Sequence, residues 1–155
     1  MKNVDYNLLC SQLEELLLEE PWYVAALSNA SALLMDSLSD LNWAGFYLIR
    51  NGKLLVGPFQ GKPACIHISI GKGVCGSAVE RNETVVVKDV HEFPGHIACD
   101  SASNSEIVVP IHSRDKACIA AVLDIDSPQL ARFSFEDKEG LEAFVEVLEG
   151  YLVWE

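Results

Sequence analysis

The chain has 155 residues, half of them hydrophobic, and eleven basic against twenty-three acidic residues give a formal charge of -12. That length suits one globular domain, residues 1–155, with a sizeable core, and that charge repels nucleic-acid phosphates and anionic membrane surfaces alike. The N-terminal stretch carries Asp5, Glu14, Glu15, Glu19 and Glu20 and has no unbroken apolar run, so neither a signal peptide nor a membrane span is expected, and the chain is expected in the cytoplasm.

Leu9, Leu13, Leu16 and Leu17 recur at helical spacing and predict a first helix. Pro21 suits the first turn of a second, in which Val24, Leu27, Leu34 and Leu38 continue the apolar stripe. Residues 43 to 59 read as two antiparallel strands, WAGFYLI and KLLVGPF, joined at Asn51-Gly52, a dipeptide that takes the positive φ of a tight hairpin turn. A third strand is predicted at ACIHIS, where Ala64, Ile66 and Ile68 alternate with Cys65, His67 and Ser69, so that Cys65 shares a face with His67. GKGVCGSAVERN offers glycines at 71, 73 and 76 and then a short helical run. TVVVKDV, EIVVPI and ACIAAVLDID supply three more apolar strands. Ser134, with Asp137 three residues on, caps a last helix that buries Leu141, Phe144, Val145 and Leu148. About six mostly antiparallel strands with helices before and after make an α+β fold.

Five cysteines in such a chain are expected to be kept reduced, and an odd number cannot close into a disulfide framework, so any bridge is transient. Cys10 and Cys118 sit in patterns that read as packed elements, where a free cysteine is a small buried hydrophobe. Cys65, Cys75 and Cys99 lie in or beside glycine-rich or polar segments. Cys99 stands in a polar connection, HEFPGHIACDSASNSE, too long for a simple turn, where a thiol can meet a ligand. His67, His91 and His96 accompany these cysteines, but no C-x-x-C or H-x-x-x-H pair occurs, so no metal site is expected; His91 and His96 are expected to hydrogen-bond within their own loop around Pro94-Gly95. GKGVCG lacks the G-K-[ST] ending of a phosphate-cradling loop.

The segments LNWAGFY (41–47), GKGVCG (71–76), VKDVHEFPGHIACDSASNSEIVVPI (87–111) and VLDIDS (122–127) resemble the free methionine-(R)-sulfoxide reductases, enzymes built on a GAF domain. The resemblance covers nearly the whole chain. It implies a GAF-like six-stranded antiparallel sheet flanked by helices, a nucleophile at Cys99, resolving cysteines at Cys65 and Cys75, substrate-pocket positions at Trp43, Tyr47, Glu106, Asp124 and Asp126, and often a homodimer. The chain departs at Ala120-Ala121, where a glycine is commoner, and at Cys118, an additional cysteine.

The residues suit that chemistry. A sulfoxide sulfur is electrophilic, and a thiolate attacks it if the oxygen is protonated as it leaves, which calls for a cysteine and an acid in one water-poor pocket. The cysteine sulfenic acid so formed condenses with a neighbouring thiol, from Cys65 or Cys75, and thioredoxin is the natural dithiol to restore the enzyme. No metal or organic cofactor is called for. Trp43 and Tyr47, four apart on a strand, share a face and equally suit a core. Asp124 and Asp126 lie on one face of an apolar strand and Glu106 opens another; on a solvated edge they would be ordinary, and converging beside a tryptophan they make a pocket for a cation such as the substrate's ammonium. The competing expectation is a non-catalytic GAF binding module or thiol redox sensor, which normally needs an attached output domain.

Overall fold

The structure is a computed structural model that describes residues 3–97 and 99–155. The expected domain begins at residue 1, so its first two residues, and Ala98, lie outside the described ones. Asp5 accepts a hydrogen bond from the amide of Leu8 and starts helix α1, Tyr6–Glu19, which buries Leu9, Leu13 and Leu17. Helix α2 runs Tyr23–Ser37 and buries Ala26, Leu27, Ala30 and Leu34. Pro21 stands ahead of it, not in its first turn, because this stretch is drawn into a short parallel bridge with the C-terminus: Tyr23 N donates to Val153 O at 2.8 Å and Val153 N to Pro21 O at 2.9 Å.

Strands β1, Trp43–Arg50, and β2, Lys53–Gly61, meet at Asn51 (φ 52°) and Gly52 (φ 75°), the positive φ pair the dipeptide predicts. Strand β3 follows at His67–Ser69, helix α3 at Gly73–Arg81, strand β4 at Val85–Val87, a single 3-10 turn at Val90–Glu92, strand β5 at Ser105–His112 and strand β6 at Ile119–Ser127. Helix α4, Phe135–Tyr151, opens on a capping box in which the Ser134 hydroxyl accepts from Asp137 N and the Asp137 carboxylate accepts from Ser134 N.

The sheet order is β3-β2-β1-β6-β5-β4, and every neighbouring pair is antiparallel. Its two faces do different things. Ala44, Phe46 and Leu48 of β1, Ile107, Val109 and Ile111 of β5 and Ala121, Leu123 and Ile125 of β6 form one face and pack against α1, α2 and α4 as the main core. Full burial of each large side chain here contributes about 1.5–3 kcal/mol, so this layer sets the stability of the scaffold. The opposite face carries Trp43, Tyr47, Val108 and Val122, covered by α3 and the long connection between β4 and β5. Among the described residues, no helix is long and apolar enough to cross a membrane.

Two further expectations need correcting. The third strand is shorter than ACIHIS: Cys65 lies outside it, because its carbonyl accepts the Tyr47 hydroxyl at 3.0 Å and its sulfur is engaged elsewhere, so it does not join the ladder beside His67. Cys118 is exposed, not packed, since it sits just before β6 in the turn where Ser113 N donates to its carbonyl. Cys10 does pack against the main core, half-buried.

Candidate active site

The site grows from strand register. Glu106 of β5 stands opposite Asp126 of β6, and Asp126 stands opposite Trp43 of β1, which sets two carboxylates and an indole in one row across three strands. One row along the same face come Val108, Asp124 and Gly45, and then Tyr47 opposite Val122. Period-two alternation makes these residues neighbours: an acid at 124 and another at 126 necessarily point the same way, and β5 adds the third. Trp43 stacks on Tyr47, with centroids 5.8 Å apart, and on Phe59 at 5.0 Å, and its indole N–H donates to Lys62 O. Both aromatics are buried, yet both line the pocket, so they are core and pocket wall at once.

Helix α3 lies over this face. The glycines at its start and just before it allow close approach: a Cβ at Gly76 would stand 2.4 Å from Ser69 O, and Gly71 and Gly73 have φ of 88° and 61°. The tight seat brings Cys75 down to the acids, and its Sγ and carboxylate oxygens of Glu106 and Asp124 all lie within 4.8 Å of one another. Trios at this spacing suit a cation, and among the described residues the pocket has no lysine or arginine in its lining.

The electrostatics follow. Burial, then the neighbouring charges of Asp124 and Asp126, push Glu106 well above the usual carboxylate range. Burial also raises Asp124, and burial followed by the charge of Asp124 raises Asp126. Asp124 Oδ1 is buried with no hydrogen-bond partner. Desolvation first, and then Asp124, lifts the Cys75 thiol well above its ordinary value, so Cys75 stays a thiol here.

The connection between β4 and β5 forms the other wall. It is tied down at its ends: Asp89 accepts from His91 N, Val90 N donates to Asn104 O, and Asn104 N donates to Ser127 O. Between them Asn42 of the LNW segment donates through Nδ2 to both Asp100 Oδ2 (3.0 Å) and Ser103 Oγ (2.9 Å), while Asp100 Oδ1 accepts from Ala102 N. These bonds hold the stretch around Cys99, and that from Ala102 N, chief among them, lowers the Asp100 pKa. Ile97 packs over Gly73, 3.1 Å from where a Cβ would be.

Cys99 is disulfide-bonded to Cys65, with Cα atoms 5.6 Å apart and a sequence separation of 34, and Cys75 is free. The structure therefore brings every predicted residue, Cys65, Cys75, Cys99, Trp43, Tyr47, Glu106, Asp124 and Asp126, to one place, and separates the three cysteines into a bonded pair and a buried thiol. Of the two histidines assigned to their own loop, His91 meets Asn104 Oδ1 at 3.0 Å, whereas His96 lines the pocket with Nε2 3.9 Å from Glu106 Oε1. His96 therefore belongs to the pocket and not only to its own loop, and the Asn42–Asp100 anchor is the feature that sequence reasoning passed over, its signal lying in the LNW segment.

A family model described as GAF domain matches residues 23–152. The chain is 53% identical over 150 residues to the free methionine-R-sulfoxide reductase of Escherichia coli strain K12, covering 97% of this chain and 86% of that protein. The structure of the Staphylococcus aureus enzyme in complex with substrate superposes with a TM-score of 0.92 at 52% identity, covering 99% of each chain. The X-ray structure of free methionine-R-sulfoxide reductase from Neisseria meningitidis in complex with its substrate gives 0.90 at 40% identity, covering 96% of this chain and 91% of that one.

Proposed function

We propose, for a chain that belongs to the free methionine-(R)-sulfoxide reductases of the GAF-domain family, that Cys99 is the nucleophile, that Cys65 resolves the oxidised enzyme, and that Glu106, Asp124 and Asp126 hold the substrate's ammonium and protonate its oxygen. The protein is an enzyme that reduces free methionine-(R)-sulfoxide to methionine using thiols. The observation that carries the division of roles is the Cys65–Cys99 disulfide at an acid-lined pocket.

The free amino acid enters with a positive charge a few bonds from its reacting sulfur, and the carboxylates supply what burial otherwise makes costly, a cation for a cluster of like charges. Trp43 and Tyr47 face the apolar part of the side chain. The Cys99 thiolate attacks the sulfoxide sulfur, an acid of the trio donates a proton to the oxygen, and the oxygen ends on Cys99 as a sulfenic acid while methionine leaves with the electron pair. Cys65 then displaces water from that sulfenic acid and forms the disulfide. A thioredoxin-type dithiol opens it by exchange and returns two thiols. Cys75, a buried thiol beside Asp124, stays outside this cycle and packs the pocket floor. The whole chain acts as one GAF-like unit in the cytoplasm, and as a homodimer in solution.

The test gives purified protein, dithiothreitol and the separate sulfoxide epimers, with methionine read by chromatography. The R epimer is consumed and the S epimer is not; equal turnover of both would refute the assignment of the pocket. Sedimentation at a single monomer mass would remove the homodimer.

A further inference from the structure

His96 has no role in the scheme above, yet among the described residues it is the pocket-lining imidazole, and the group it meets is Glu106. Nε2 stands 3.9 Å from Oε1, and a shift of about 1 Å turns that contact into a hydrogen bond. The His96 side chain is 16% exposed against 9% for Glu106, so the imidazole lies on the outer side of a carboxyl that is otherwise walled in. Asp124 and Asp126 face Glu106 from β6, Cys75 from α3 and Tyr47 from β1, and none of these offers a neutral base. Cys99 follows His96 by three residues and lines the same pocket.

The reaction poses a proton problem at this spot. Cys99 must lose a proton to attack, and the sulfoxide oxygen must gain one to leave. We propose that His96 carries the proton between these two needs: its imidazole accepts the proton of the Cys99 thiol and returns it to the Glu106 carboxylate after that group has protonated the departing oxygen. The balance closes without another reactant. The thiol proton goes to His96, the Glu106 proton goes to the oxygen, the sulfoxide S–O bond breaks as the Cys99 S–O bond forms, the cysteine sulfur is oxidised by two electrons and the methionine sulfur is reduced by two. Transfer from the imidazolium to Glu106 then resets both groups. Burial, and then the nearby His91, holds the His96 pKa below its ordinary value and so favours the neutral ring that accepts a proton, while burial and the neighbouring acids favour the protonated form of Glu106. His96 takes its proton from the reacting thiol of Cys99 and so is a further catalytic residue of the reaction, although it does not meet the substrate. The inference rests on Cys99 as nucleophile and Glu106 as proton source.

The experiment uses His96→Gln, which keeps a polar side chain but cannot carry a proton at neutral pH. In a single turnover of fully reduced enzyme, methionine release at neutral pH should slow by about 10- to 100-fold, at or below the lower end of the range for general acid-base groups. Dissolved imidazole should restore part of the rate, and substrate KM and the thermal midpoint should stay near wild type. A His96→Gln rate equal to that of wild type between pH 6 and 8, or a loss that imidazole leaves untouched, would each overturn the relay while leaving the reductase reading intact. Turnover retained in Cys99→Ser would instead remove the nucleophile on which both depend.

Discussion

Changing Asp124 to Asn should move stability and activity in opposite directions. In the free enzyme this carboxyl is 5% exposed, one of its oxygens has no partner, and it faces Glu106, Asp126 and Cys75 without a cation. An unsatisfied buried polar atom costs about 1–3 kcal/mol, and the amide of an asparagine removes the like charge and offers Glu106 an N–H donor. At about 2–4 °C per kcal/mol for a chain of this size, the substrate-free variant should melt about 2–12 °C above wild type. In the proposed role of Asp124, the same change deletes an ionic acceptor for the substrate's ammonium, a loss of about 1.5–3 kcal/mol, or about 10- to 150-fold in kcat/KM. The assay pairs thermal unfolding at pH 7, with and without methionine, with steady-state turnover under dithiothreitol; the stabilisation that methionine confers should shrink. A variant that melts below wild type, or one that keeps full kcat/KM, would show that Asp124 is not a strained cation-binding group and would sink the reasoning.

Cys99→Ser should fold but reduce no sulfoxide even with dithiothreitol. Cys65→Ser should release about one methionine per site and then fail to recycle with thioredoxin, whereas Cys75→Ser should keep recycling; steady turnover by Cys65→Ser, or failure of Cys75→Ser alone, would exchange the roles of those two cysteines. N-acetylmethionine sulfoxide lacks the ammonium and should lose about 100-fold in kcat/KM, if one buried ionic hydrogen bond of about 3 kcal/mol goes with it; parity with the free amino acid would refute the acid pocket as its reader. Because the folded-state pKa of Glu106 lies above its unfolded value, its contribution to stability is complete below the ordinary carboxylate range and is lost as pH rises through the raised value. The melting advantage of Glu106→Gln over wild type should therefore grow between pH 4 and pH 8 in substrate-free protein, and a gap that shrinks with pH would contradict it.

By itself the sequence determined what local rules determine. The Asn51-Gly52 turn and the Ser134–Asp137 capping box each depend on residues within a few positions of one another, and each stands where the pattern places it. Alternation along VLDID likewise put Asp124 and Asp126 on one face before any partner strand was known. The motif segments carried the candidate residues and the family. What only the tertiary structure decided are quantities that join distant parts of the chain. Strand order set β1 beside β6 and so Trp43 opposite Asp126, and nothing in either strand alone encodes that pairing. Which cysteine meets Cys99 was open between Cys65 and Cys75, both near glycine-rich or polar turns; α3 seats Cys75 against Asp124 while the stretch before β3 carries Cys65 to the loop. His96 looked like a residue of its own turn, and its contact with Glu106 exists because the connection between β4 and β5 folds back over the sheet. Cys118 was misread for the same reason, since an apolar strand pattern does not say whether its first residues lie inside the sheet or in the turn before it. Periodicity reports which way a side chain points; only the packing of the whole chain decides what it points at.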